Sequence, residues 1–134
     1  MKNSLMLTIA SLLSILFVTF HLTDDTLHSK AGTPEAQGTT LYAVPVLVVW
    51  LYGALVLPEK RSGHIIALIG SLLGLLAPAI HMTGTSIVGS GGIGRGFLFV
   101  WTLHAVGVTA MFCCIVALRG LWSGLRNRPR LSNR

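Results

Sequence analysis

The 134 residues are 52% hydrophobic and only 10% charged, with a mean hydropathy of +0.73, whereas a soluble domain carries about a quarter charged residues. That balance excludes an ordinary soluble domain and predicts an all-α integral membrane protein. The formal net charge of +6 does not signal nucleic acid, because the basic residues flank apolar runs, where they set topology in a bilayer. The length suits a single domain over residues 1–134, with no room for a separate catalytic unit.

The first apolar run, Leu5 to Leu22, is about 27 Å long as a helix, close to the thickness of a bilayer core. Lys2 would suit a signal peptide, but the run is long for one and Val18-Thr19-Phe20 is not a small-residue cleavage site, so a retained span is expected. Directly after it, His21, Asp24, Asp25 and His28 fall at i, i+3, i+4 and i+7. If the helix continues, all four positions share one face, and His21–Asp25 and Asp24–His28 form interleaved i, i+4 pairs.

Ser29 to Thr40 has loop composition. A second run, residues 41–57, carries Tyr42, Trp50 and Tyr52 and ends at Pro58, with Pro45 expected in the first turn, where its missing N–H does no harm. The short basic connection to the third run, residues 64–82, predicts neighbouring antiparallel helices. Gly63, Ala67, Gly70, Gly74 and Ala77 form a small-residue seam suited to close helix contact in lipid, making this run the expected central helix. The next step of the seam lands on His81.

Gly89 to Gly94 matches G-x-G-x-x-G by letters, but no strand precedes it and no acid follows about 20 positions later, so it reads as a loop. The fourth run, residues 97–118, holds His104 and the adjacent Cys113 and Cys114, which make neither a disulfide framework nor a zinc spacing. A basic tail, residues 119–134, follows.

Four transmembrane helices in an antiparallel bundle place both termini on one side. That side holds Lys2, Lys60, Arg61, Arg119, Arg126, Arg128, Arg130 and Arg134, against Lys30 and Arg95 on the other. Eight basic residues against two predict cytoplasmic termini in a bacterial-type inner (plasma) membrane. His21, Asp24, Asp25, His28, His81 and His104 then belong to the outer half.

An ionisable group inside a span is costly and marks a functional candidate. Three histidines from three runs, with a carboxylate pair, are imidazole and oxygen ligands suited to zinc, copper, iron or nickel. The expected function is therefore a binding module holding a metal ion, or haem b as a lower-ranked choice, for electron transfer, sensing or delivery. The alternatives are a non-enzymatic accessory subunit of a larger membrane complex and a small oligomeric proton or cation transporter. No nucleophile and base pair supports an enzyme, although a metal-activated water at the cluster is chemically conceivable. The expected partners are the bilayer, anionic lipid at the basic tail, and either further copies of the chain or a larger complex.

Overall fold

A computed structural model describes residues 2–28, 34–83 and 97–126. They form four helices: α1 (Lys2–His28), α2 (Pro34–Val56), α3 (Arg61–Thr83) and α4 (Phe97–Arg126). Three contain stretches long and apolar enough to cross a membrane: Asn3–Asp24, Arg61–Ala79 and Phe99–Gly124. In α2 the apolar portion, Leu41–Val56, is shorter. Large side chains such as Leu16, Phe20, Ile69, Leu72, Val108 and Ile115 stay exposed around the bundle, an apolar surface too extensive for a water-facing monomer.

The helices overrun the apolar runs in three places. α1 continues through the acidic stretch to His28, so the continuation on which the i, i+3, i+4, i+7 alignment depends is realised. α2 starts at Pro34, inside a segment with loop composition, because proline suits a first helical position and Glu35, Ala36 and Gln37 are good helix formers. Pro45 consequently lies deep inside the helix rather than in its first turn, and it removes the hydrogen bond that Leu41 would otherwise receive. α4 extends to Arg126, eight residues beyond the expected end.

Buried positions on α1 (Leu7, Ser11, Ser14, His21), α3 (Gly63, Ala67, Gly70, Gly74) and α4 (Phe99, Leu103, Val106, Ala110, Cys113, Ala117) recur in steps of three and four. That is the spacing of helices packed along near-parallel axes. The largest interfaces are those of α4 with α3 and with α1, while α2 lies against α1 and α3. The seam helix α3 touches all three others, yet α4, not α3, carries the most packing.

At the centre stands Trp50, 2% exposed. A Cβ at Gly70 would meet its indole carbons, and one at Gly74 would lie 3.2 Å from the Ala110 Cβ. The missing side chains of the seam are what let a tryptophan lie flat against α3. Trp50 Nε1 is buried with no hydrogen-bond partner, a cost of about 1–3 kcal/mol that the ring's large apolar burial outweighs.

Candidate functional site

His21 is 3% exposed and sits between α1 and α4. Its Nδ1 lies 3.4 Å from Thr102 Oγ1. Thr102 spends its single hydroxyl proton on the Phe99 carbonyl at 3.1 Å, so its oxygen accepts and His21 Nδ1 donates. The bond requires a proton on Nδ1. Phe99 closes the other side, its ring centroid 5.0 Å from that of His21. One turn earlier, Phe17 and Trp101 meet edge-to-face at 5.6 Å.

His104 has a different fate. It is exposed, and its Nδ1 donates to the Val100 carbonyl one turn back at 2.7 Å. Thr102 faces His21, and two residues along a helix turn the side chain through about 200°. His104 therefore points away from His21 on the outer face of α4, and these two rings are not brought together. Small and apolar residues (Leu103, Val106, Ala110) occupy the inner face of α4, which leaves His104 on the outer one.

Asp24 is partly buried near the end of α1. The side chains of Asp25, His28 and His81 lie outside the described residues. Among the described residues no group of three His, Cys, Asp or Glu side chains is positioned to hold a metal ion. Cys113 is buried and shares a hydrogen bond with Ser11 at 3.3 Å, an interhelical tie that suits a packing role.

His21 also borders a groove of about 260 Å³ between α1, α2 and α3, whose walls include Val18, Tyr42, Trp50, Leu73 and Ala77. Among the described residues its lining is almost wholly apolar.

The fifth histidine is positioned by features that hydropathy patterns do not reveal. His64, on the first turn of α3, donates from Nδ1 to the Lys60 carbonyl at 3.1 Å. Its ring occupies the place a Cβ would take at Gly120. Beside it opens a cavity of about 500 Å³ with Asn3, Ser4, Glu59, Ser123 and Gly124 in its walls. Gly120 lies past residue 118, the expected end of the fourth run, and Thr102 lies inside that run with no motif to mark it.

Comparison of the chain with known protein families, curated proteins and solved structures returned no match. The chemistry of these side chains is therefore the guide to function.

Proposed function

We propose that this chain is a non-enzymatic accessory subunit of a larger complex in a bacterial-type plasma membrane. In this reading all four helices span as an antiparallel bundle with both termini cytoplasmic. The contacts Gly53–Ile66 with Trp50–Gly70, His64–Gly120 with Gly74–Ala110, and Ser11–Cys113 with His21–Thr102 support antiparallel neighbours, since from the first to the second of each two the contact moves in opposite directions along the two helices. The eight-to-two distribution of basic residues supports the orientation.

The observation that carries the reading is the exposed face of α4. His104 stands there in line with Val100, Val108, Met111 and Ile115. Its Nδ1 proton is committed to Val100, which leaves Nε2 as an acceptor directed off the bundle. Lipid tails offer no donor, and a polar group left unsatisfied in hydrocarbon costs several kcal/mol. A donor on a neighbouring membrane protein removes that cost. A transporter is less well supported, because the interior polar groups Ser11, Ser14, Ser71 and Thr109 are tied to backbone or to Cys113. A metal or haem centre would have to be completed by Asp25, His28 or His81 around His21.

Native electrophoresis of solubilised membranes tests the proposal. The chain is expected in a band heavier than the protomer, released to the protomer position in His104→Leu without loss of folded protein. Parent and variant co-migrating would contradict it and leave headgroup water as the donor. Stoichiometric metal or haem in the purified protein would restore the binding-module reading.

A further inference from the structure

The three candidate spans end at Asn3, Arg61 and Gly124, and the 500 Å³ cavity beside His64 is walled by Asn3, Ser4, Pro58, Glu59, Ser123 and Gly124. A cavity with polar walls therefore lies where the membrane-crossing stretches stop, at the depth of phospholipid headgroups. The exposed cations Lys60, Arg61, Arg119 and Arg126 lie at the same end of the bundle. Trp122, 75% exposed, occupies the same end, as interfacial tryptophans do.

The walls themselves are rich in acceptors. His64 donates from Nδ1 to the Lys60 carbonyl at 3.1 Å, and its Nε2 edge lies against Gly120. Ser123 Oγ donates to the Gly120 carbonyl at 3.0 Å, which leaves its oxygen lone pairs available. Glu59 adds a carboxylate, and Asn3 an amide oxygen. The floor is open as well: a Cβ at Gly124 would meet nothing within 4 Å. An acceptor-lined pocket with a carboxylate suits a donor-rich cation, while the Lys and Arg side chains at this end suit an anion directly attached to it. A bare divalent ion meets only the first condition, and four cations at the same end oppose it. An anionic glycerol headgroup meets only the second.

We propose that this cavity binds the headgroup of a zwitterionic phospholipid carrying a primary amine. The N–H donors of the ammonium go to Glu59, Ser123 and the Asn3 amide oxygen, and the phosphate goes to the Lys60–Arg61 side of the rim. Methylating the amine removes every donor at unchanged charge. The choline and ethanolamine lipids therefore form a matched pair of probes.

The inference rests on the reading that the chain crosses a bilayer, and flotation of the full chain with lipid vesicles reports on that separately. For the site, the melting temperature of the full chain in mild detergent is measured with added phosphatidylethanolamine, phosphatidylcholine or phosphatidylglycerol of identical acyl chains. Specific binding to the folded state raises melting temperature. The ethanolamine lipid is expected to give the largest rise. That advantage over choline should vanish in Glu59→Gln, whose side chain lies in an exposed turn, and survive in Asp24→Asn at the opposite end of α1. Equal rises with ethanolamine and choline, a larger rise with the glycerol lipid, or an ethanolamine advantage undiminished in Glu59→Gln would each overturn the proposal.

Discussion

At one end of the bundle His21 is buried, gives its Nδ1 proton to Thr102 on another helix and packs on Phe99. At the other end His64 gives the same proton to its own helix at Lys60 and borders an open polar cavity. Each ring donates from Nδ1 in a hydrogen bond. The difference lies in what faces the rest of the ring: an aromatic wall in one case, a glycine and an open polar cavity in the other. A histidine bonded across a helix interface is committed to holding helices together, whereas one bonded within its own turn is not. His104, bonded within its turn to Val100, belongs with His64 in this respect.

The comparison breaks most visibly if the shared scaffold is disturbed. A leucine at Gly70 would drive into the Trp50 indole, and overpacking of this severity costs about 3 kcal/mol. Gly70→Leu is therefore expected to leave little folded protein in mild detergent, as judged by size-exclusion profile and thermal melting.

Next in size is the committed end. Thr102→Val removes the His21–Thr102 bond and should lower stability by about 1 kcal/mol, the net worth of one hydrogen bond. Adding His21→Leu should recover part of that loss, because replacing both partners by apolar groups removes the penalty. A double variant no more stable than Thr102→Val alone would show that the bond is incidental.

At the open end the glycines make the finest distinction. Gly120→Ala must displace the His64 ring, whereas Gly124→Ala meets nothing within 4 Å. The first should disturb His64, visible as a shifted imidazole resonance in NMR spectra. The second should change stability by less than about 0.5 kcal/mol, the range for surface substitutions away from special features.

The contrast also explains how far the sequence could be read. Three membrane-length helices and the seam on α3 were legible because apolar runs and small-residue spacing register directly in composition, and Gly70 with Gly74 does face the core. Helix ends were less legible. Leu121 and Trp122 prolong α4 and Pro34 initiates α2, in segments whose polarity resembles loops. The direction of His104 was not legible at all. A stripe of apolar residues covers nearly the whole circumference of α4, so its inner face is chosen by which residues are small enough to meet α1 and α3, namely Ala110, Cys113 and Ala117. His21 read as a candidate ligand because its partner, Thr102, lies 81 residues away, and only the meeting of α1 with α4 reveals that its proton has an acceptor.

The face of α4 that carries His104 bears the central claim. A photo-crosslinking residue placed at Val108, one turn from His104 and 63% exposed, can be activated in intact membranes, alongside the same residue at Ile69, 54% exposed on α3. A discrete protein adduct at 108, absent at 69 and lost when His104→Leu is added, is the expected result. Lipid adducts alone at both positions would contradict it, leaving α4 facing the bilayer and His104 satisfied by headgroup water.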